Sequence, residues 1–254
     1  MIAIVTGASS GIGAATARLL VKSGHIVIGI ARDADKLDSL ARALGDGFSA
    51  RACDVTETAA FTAVLRQTAD DHGRVDLLVN NAGTARAIPI ADTTPAEFRA
   101  MHELNVVAPA AAIHALWPTM CLHGDARIVN VSSLAQLDPF PGFFAYASSK
   151  SALHLLTVVA NAEGDPHGVR AFTLAPGVVD TPLHRALLPD SIEPVDGLSS
   201  TLSANDVARA IVEIADGGRD ARAGWVLAMP SPAAVSSLRR WVIEHPGGGV
   251  EIIS

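Results

Sequence analysis

Cysteine and aromatic residues are scarce in this chain of 254 residues, which has two cysteines, Cys53 and Cys121, and 4% aromatic residues. Two cysteines without a Cys-x-x-Cys pair provide neither a disulfide framework nor a cysteine metal site. We therefore expect both to be small buried side chains. With 49% hydrophobic residues and few aromatics, the composition favours one α/β domain in which helices cover aliphatic parallel strands.

The chain also lacks a basic block, a metal-binding pattern and a long apolar run. Its formal net charge is −7, which argues against a nucleic-acid partner and requires local groups to hold any anionic ligand. The nine histidines have no His-x-x-x-His spacing, so no metal site is predicted. No apolar run approaches the roughly 18 residues of a membrane span, and no signal peptide precedes the first strand. We expect a cytoplasmic protein with no membrane partner.

An apolar run, a glycine-rich turn and a helix-forming segment follow one another at the start of the chain. The run Ile2–Thr6 leads into Gly7, Gly11 and Gly13. Backbone N–H groups at such a turn bind phosphate, because these glycines permit the tight turn and the close approach of ligand and helix. By itself the pattern also fits an ordinary strand-to-helix turn. The predicted phosphate-binding residues are Gly7, Ser9, Ser10, Gly11, Ile12 and Gly13.

The end of the second predicted strand, 25–30, carries the residues that indicate the coenzyme. In a dinucleotide site an acid at this place binds the 2′-hydroxyl of the adenosine ribose, whereas an arginine attracts a 2′-phosphate. Ala31 stands where the acid is expected and Arg32 follows it, which predicts NADP(H). The alternative is that Arg32 is solvated and Asp33 turns inward to the ribose, which would select NAD(H).

Two further strand ends carry groups suited to the rest of a dinucleotide. Asp54 and Val55 follow the third predicted strand, 48–53. There the carboxylate can accept a hydrogen bond from the adenine amino group, and the valine can pack on the ring. Asp54 can instead cap the next helix. The fourth predicted strand, 75–79, leads into small and amide residues that bring backbone close to a ligand, namely Asn80, Asn81, Ala82 and Gly83.

Tyr146 and Lys150 stand four residues apart in a segment that is predicted to open a helix, so they share a helix face. A free tyrosine has a pKa of about 10, but Lys150 and an oxidised nicotinamide favour the phenolate and lower that pKa. Tyr146 is therefore the predicted acid and base of a proton transfer. Tyr-x-x-x-Lys alone is common by chance, and here its position downstream of the nucleotide loop gives it weight.

These motifs resemble those of the short-chain dehydrogenase/reductase family in its common form. Thr6-Gly7-x-x-x-Gly11-x-Gly13 and Asn80-Asn81-Ala82-Gly83 carry the resemblance, which extends from residue 1 to about residue 228. It implies a single Rossmann-like doubly wound domain over residues 1–254, with a seven-stranded parallel sheet and helices on both faces. The epimerase and dehydratase branch typically has the spacing Gly-x-x-Gly-x-x-Gly instead.

The resemblance also implies roles for individual residues. It places Asn105 in the proton relay, through a helix kink and a bound water. Ser133, thirteen residues before Tyr146, corresponds to the serine that binds the substrate oxygen, with Ser132 as its competitor. The other implied coenzyme contacts are Asn81, Ala82 and Gly83 near the phosphates, Tyr146 and Lys150 at the nicotinamide ribose, and Pro176, Gly177, Val179 and Thr181 at the nicotinamide.

The substrate side is predicted to be largely apolar, with residues 182–201 forming a short lid. The expected substrate contacts are Ser133, Phe140, Phe143, Tyr146 and Leu183, with Phe144 and Arg86 at the border. Beyond residue 228 the chain departs from the family pattern, and 229–254 form an atypical C-terminal extension. A helix is predicted over 233–244. The apolar tail 250–254 is expected to pack at a subunit interface or over the active site, or to fray.

These observations predict an NADP(H)-dependent oxidoreductase that transfers a hydride between nicotinamide and a ketone or secondary alcohol. The substrate is expected to be small to medium in size and largely apolar. The alternatives are an NAD(H)-dependent alcohol dehydrogenase of the same family and a nucleotide-binding regulator without turnover. The resemblance further implies a homodimer or homotetramer, formed through the helices after Asn105 and after Lys150.

Overall fold

Strands and helices alternate along the chain in the computed structural model, which describes residues 1–187, 201–230, 238 and 249–253. The strands are β1 (Ile2–Thr6), β2 (Ile26–Ala31), β3 (Phe48–Ala52), β4 (Leu77–Asn80), β5 (Ala126–Val131), β6 (Val169–Pro176), β7 (Val179–Asp180), β8 (Leu202–Ser203), β9 (Val226–Met229) and β10 (Val250–Ile252). The α-helices are α1 (Gly11–Lys22), α2 (Ala34–Leu44), α3 (Thr58–His72), α4 (Pro95–His102), α5 (Ala108–His123), α6 (Phe144–Gly164), α7 (Pro182–Leu187) and α8 (Ala204–Ala215).

A parallel sheet forms the centre of the fold, with the strand order β10-β9-β6-β5-β4-β1-β2-β3. Its central strands are rich in aliphatic residues because helices cover both faces, and β1 and β5 are buried at every position. From β1 the chain adds β2 and β3 on one side of the sheet, and it then returns to add β4 on the other side of β1. The carboxyl ends of these two strands therefore border a crevice, which is where doubly wound sheets bind ligands.

The predicted α/β class and Rossmann-like domain are confirmed, but the sheet has eight strands rather than seven. The additional strand is β10, which pairs in parallel with β9 at the sheet edge. Glu251 of β10 accepts hydrogen bonds from Arg219 and Arg222 at 3.5 and 3.1 Å, and Ile253 is buried in the core. The tail is thus an ordered sheet edge rather than a frayed end.

Two predicted segments of the C-terminal half lie largely outside the described residues. Of the predicted lid, 188–200 are outside, and 182–187 form α7. Of the predicted helix over 233–244, only Leu238 is described, and it is helical and buried against Ala175 and Ala228. The lid and the helix as wholes stay predictions.

Side chains at the helix starts explain where several elements begin. Asp33 caps α2, where its carboxylate accepts a hydrogen bond from the N–H of Lys36. A reciprocal capping box of Ser203 and Asp206 begins α8. The N-cap position of α3 is Glu57, not Asp54.

Helices α4 and α5 form one stretch that a π-helical turn, Glu103–Val107, interrupts. By length and composition alone, Pro95–His123 is apolar enough to cross a membrane. This stretch departs from the expectation that no apolar run reaches the length of a membrane span. Core helices of soluble proteins meet the same criterion, and this stretch packs Ala112 and Leu116 into the core beneath the sheet.

Candidate active site

The glycine-rich loop lies between β1 and α1, at the edge of the crevice. Gly7 and Gly11 have φ angles of +68° and +52°, which residues with a side chain rarely adopt. A Cβ atom on Gly13 would overlap with the carbonyl oxygen of Gly7. Ser10 is the N-cap of α1, and its side chain makes no capping hydrogen bond to the described chain. The first N–H groups of α1 are therefore available to an anion.

Hydrogen bonds of Asn81 connect the loop that follows β4 to the end of β1, where the glycine-rich loop begins. Its Nδ2 donates to the carbonyl oxygen of Thr6 at 2.9 Å. The hydroxyl oxygen of Thr6 in turn accepts from the N–H groups of Asn81 and Ala82, both at 3.0 Å. These bonds hold the ends of two neighbouring strands as one surface. The two predicted phosphate-side segments are thus brought together.

Arg32 and Asp33 follow β2 at the predicted adenosine side. The Arg32 guanidinium is exposed and lies 3.7 Å from a carboxylate oxygen of Asp54. Asp33 accepts from the N–H of Lys36 at 3.0 Å and pairs with its Nζ at 2.6 Å. The side-chain bond from Lys36 is the main cause that lowers the pKa of Asp33. Both oxygens of Asp33 are therefore engaged at the start of α2.

Asp54 forms a local turn and does not cap α3. Its Oδ1 accepts from the N–H and the hydroxyl of Thr56 at 2.9 and 2.8 Å, as in an Asx turn. The backbone bond from Thr56 is the first cause that lowers the pKa of Asp54. Val55 beside it is buried. The other carboxylate oxygen lies towards Arg32.

Tyr146 and Lys150 lie on the first turns of α6, beside the end of β5. The Nζ of Lys150 is 5.8 Å from the centre of the Tyr146 ring and donates to the carbonyl oxygen of Val131 at 2.9 Å. Burial lowers the pKa of Lys150 to about 8. Burial also raises the pKa of Tyr146, and a hydrogen bond with Ser133 opposes that rise. The predicted lowering of the Tyr146 pKa therefore depends on added positive charge at the site.

The two serines after β5 have different partners. Strand β5 ends at Val131, so both serines lie just beyond it. Ser132 is buried, and its hydroxyl donates to the carbonyl oxygen of Lys150 at 3.1 Å. Ser133 accepts from the N–H of Ala135 at 3.2 Å, and its side chain acts to lower the pKa of Tyr146. Of the two serines, Ser133 is the one that affects the pKa of Tyr146.

Asn105 lies in the π-helical turn, where its side chain is almost fully buried. Its Oδ1 accepts from the N–H of Thr84 at 2.9 Å. Its Nδ2 donates to the carbonyl oxygen of Thr84 and to the hydroxyl of Ser149, both at 3.0 Å. Both amide hydrogens are thus used. The side chain ties the loop after β4 to α6, and sequence reasoning did not identify Ser149 as its partner.

The segment after β6 approaches the glycine-rich loop. The N–H of Gly177 donates to the carbonyl oxygen of Met229 at 2.9 Å. A Cβ atom on Gly11 would lie 3.2 Å from the Cγ2 of Thr181, so Thr181 faces the start of α1. Its neighbour Asp180 pairs with Arg185 at 2.8 Å. The predicted nicotinamide-side segment therefore adjoins the predicted phosphate side, and Asp180 has a local partner.

Aromatic and aliphatic side chains surround Tyr146 on the predicted substrate side. The Phe143 ring lies edge-on to the Tyr146 ring, with centroids 5.3 Å apart, and Phe140 lies 5.1 Å from Phe143. Leu187 of α7 and Phe98 of α4 pack against the same cluster. Phe98 was not predicted, because only the packing of α4 on α6 brings it there. The remaining predicted residues of this side are exposed, namely Phe140, Phe144, Leu183 and Arg86.

Comparisons with known proteins agree on one family. A family model described as short chain dehydrogenase matches residues 1–191. The serine 3-dehydrogenase of Agrobacterium fabrum is 29% identical over 98% of this chain and 96% of its own length. The crystal structure of a short-chain dehydrogenase from Streptomyces avermitilis has a TM-score of 0.78 and 31% identity, over 96% of this chain and 95% of that one. A metagenomic short-chain oxidoreductase in complex with NADP has a TM-score of 0.72 and 33% identity, over 85% and 90%.

Proposed function

The chain belongs to the short-chain dehydrogenase/reductase family, and we propose that it is an NADP(H)-dependent oxidoreductase acting on a ketone or secondary alcohol. The observation that carries the proposal is the convergence of Ser133, Tyr146 and Lys150 at the end of β5. The Ser133 side chain acts to lower the pKa of Tyr146, and the Lys150 ammonium group lies 5.8 Å from the Tyr146 ring. A hydroxyl between a hydrogen-bond donor and a cation is suited to proton transfer.

The described residues fit a dinucleotide. The φ angles of Gly7 and Gly11 form a tight turn, and the close packing of Gly13 on Gly7 brings the start of α1 against it. The uncapped N–H groups of α1 would therefore face a phosphate at this turn. Asp54 and Val55 would hold the adenine, and Thr181 with the backbone of 176–179 the nicotinamide. When bound, the dinucleotide supplies or accepts the hydride at its nicotinamide ring.

In the proposed mechanism Tyr146 transfers the proton, and Ser133 binds the oxygen of the substrate. In reduction a hydride adds to the carbonyl carbon, and the Tyr146 hydroxyl gives its proton to the carbonyl oxygen, which yields the alcohol. Ser133 donates a hydrogen bond to that oxygen as negative charge develops there. The Lys150 ammonium group stabilises the remaining phenolate, which regains its proton from solvent. Oxidation runs through the same steps in reverse.

Asn105 acts by holding the site together. Because both of its amide hydrogens are engaged by Thr84 and Ser149, its side chain has no donor left for a relay water. Its contribution to a relay would come from its main chain or its Oδ1. The bonds to Thr84 and Ser149 fix the distance between α6 and the loop after β4, residues 81–84, which we call the coenzyme loop.

Arg32 supports a preference for NADP(H) over NAD(H). It is exposed at the end of β2, and the exposed cation of Lys36 lies on the next turn. Asp33, which would favour NAD(H), has both oxygens bonded to Lys36. A charge-assisted contact with a 2′-phosphate adds about 1.5–3 kcal/mol, which is roughly a tenfold to hundredfold preference. The NADP complex of the metagenomic relative is consistent with this choice.

The apolar surroundings of Tyr146 favour a largely apolar substrate of small to medium size. Phe143 and Leu187 pack in the cluster that contains the Tyr146 ring, and the exposed Phe140 ring lies 5.1 Å from Phe143. The relative from Agrobacterium fabrum is named for serine, a small polar substrate. A panel of carbonyl compounds must therefore include polar as well as apolar members.

The outer faces of α5 and α6 support an oligomer. Leu155 and Leu122 are 64% and 79% exposed, and Val158 and Val159 extend the same apolar surface on α6. Such a patch on a closed α/β domain is typical of a subunit interface. We propose a homodimer or homotetramer through these helices. A monomeric mass in solution at micromolar concentration would contradict it.

The test of the proposed function is NADPH oxidation with a panel of ketones, read by the loss of reduced-nicotinamide absorbance. We expect turnover with at least one apolar ketone, and loss of that turnover in Tyr146→Phe with coenzyme binding retained. Activity that persists in Tyr146→Phe would overturn the mechanism. Tight NADPH binding without turnover of any panel member would instead favour a nucleotide-binding regulator.

A further inference from the structure

Three serines on α6 donate their hydroxyls to carbonyl oxygens one turn earlier. Ser148 donates to Ala145 at 3.0 Å and Ser151 to Ala147 at 3.0 Å, and both are partly exposed. Ser149 donates to the carbonyl oxygen of Tyr146 at 2.7 Å and is fully buried. Among these three, and within the described residues, only Ser149 also accepts a hydrogen bond from another element.

That second bond comes from Asn105, whose Nδ2 lies 3.0 Å from the Ser149 hydroxyl oxygen. Through the other contacts of Asn105, a continuous chain of hydrogen bonds runs from Thr84 in the coenzyme loop to the backbone of Tyr146. We propose that Ser149 is a positioning residue, which fixes the turn of α6 that carries Tyr146 relative to the coenzyme loop. The inference rests on the proposed function and adds a residue to it.

The spacing of the surrounding groups explains why this link matters. A Cβ atom on Gly83 would lie 3.2 Å from the Oδ1 of Asn105 and 3.6 Å from the Nζ of Lys150. The coenzyme loop, Asn105 and Lys150 are therefore in contact at a single place. A small movement of α6 changes the positions of Tyr146 and Lys150 together, and misplacement by about 1 Å can cost a hundredfold in rate.

Removing the Ser149 hydroxyl has two consequences. The carbonyl oxygen of Tyr146 loses an additional donor, and one Nδ2 hydrogen of Asn105 loses its acceptor in a buried place. A buried donor without a partner is unfavourable, so the Asn105 side chain or the helix turn must shift to find one. The shift acts on the alignment of Tyr146 and leaves the glycine-rich loop unchanged.

The experiment compares Ser149→Ala with Ser148→Ala and Ser151→Ala, which remove the same kind of helical back-bond. We expect kcat to fall about 10- to 100-fold in Ser149→Ala, with the Kd for NADPH within about twofold of the original. The two control variants should keep kcat within about twofold. Equal behaviour of all three variants would overturn the inference.

A double-mutant cycle with Asn105→Ala tests the link itself. If Ser149 acts through Asn105, the double variant should lose no more than the worse single variant, because both substitutions break the same chain of bonds. Losses that multiply would contradict the link. Should Ser149→Ala fail to fold, Ser149→Cys replaces it, since the thiol is of similar size and a weaker donor and acceptor.

A readout without turnover separates this inference from the proposed function. Tyr146 is the one tyrosine of the chain, so phenolate absorbance reports its ionisation alone. Loss of alignment with Ser133 should raise the pKa of Tyr146 in Ser149→Ala, but not in Ser148→Ala. If the pKa of Tyr146 rises in this way but the original protein reduces no ketone, the proposed function is refuted and the positioning role of Ser149 is retained. An unchanged pKa together with an unchanged kcat would refute the positioning role.

Discussion

Lys150 donates a 2.9 Å hydrogen bond from its Nζ to the carbonyl oxygen of Val131, at the strand end that leads to Ser132 and Ser133. The side chain is only 6% exposed, so its positive charge is largely removed from water. Burial accordingly lowers the pKa of Lys150 from 10.5 to about 8. The buried charge of Lys150, which the proposed reaction uses, therefore lowers the free energy of unfolding.

The depressed pKa of Lys150 predicts a pH-dependent gain in stability in Lys150→Met. Below pH 8 the lysine is charged in both states, so its burial lowers the free energy of unfolding by the full amount. Between pH 8 and 10.5 the folded state has lost the proton that the unfolded state keeps, so this penalty decreases as pH rises. The advantage of Lys150→Met should therefore shrink by about 2 kcal/mol between pH 7 and pH 9.5.

Denaturant unfolding of both proteins at the two pH values measures this difference. The bond to Val131 weakens when Lys150 loses its proton, so the comparison reports the pH dependence of the buried lysine together with this bond. Lys22→Met, at an exposed position of α1, is the control and should show no such change. The same stability difference at both pH values would mean that the Lys150 pKa is not depressed.

A second prediction concerns the ionisation of Tyr146, the one tyrosine in the sequence. Since burial raises its pKa, the phenolate band of the protein alone should appear only above pH 10, beyond the ordinary midpoint of tyrosine. Adding NADP⁺ should move the midpoint to lower pH, because the oxidised nicotinamide places positive charge near the phenolate. Tyr146→Phe supplies the baseline. A midpoint that NADP⁺ leaves unchanged would contradict the proposed role of that charge.

The main features of the site could be predicted because they depend on local spacing. Tyr146 and Lys150 share a face of α6 through helical periodicity, and Gly7, Gly11 and Gly13 follow a buried strand directly. These relationships require only the repeat of an element and the places where it begins and ends.

The parts that could not be predicted depend on distant packing. Asn105 and Ser149 are 44 positions apart, and the π-helical turn that aims Asn105 at α6 has no pattern of its own in the sequence. Phe98 reaches the Tyr146 cluster only because α4 packs on α6. Strand β10 has three residues and follows a segment without family resemblance. Its pairing with β9 is set by the free edge of the sheet, not by local propensity.

Arg32→Ala tests the coenzyme preference. If Arg32 binds the 2′-phosphate, the Kd for NADPH should rise about 10- to 100-fold while the Kd for NADH changes less than about twofold. Arg42→Ala is the matched control, since Arg42 is also exposed but lies in the last turn of α2. Thermal shifts with saturating NADPH and NADH give the comparison without a substrate. An equal rise in the Kd for NADPH and for NADH would mean that Arg32 binds a part of the dinucleotide that both coenzymes have, and not the 2′-phosphate.

The last prediction concerns the C-terminal strand, which the fold uses as a structural edge. Ile253 follows β10 and is 6% exposed within the main hydrophobic cluster. Truncation of such a side chain leaves a cavity, so Ile253→Ala should lower the free energy of unfolding by about 2–4 kcal/mol. Glu251→Gln keeps the shape of β10 and weakens partly exposed ion pairs with Arg219 and Arg222, so its cost should be below about 1 kcal/mol. Equal and small losses in the two variants would mean that β10 is not packed on the core in solution.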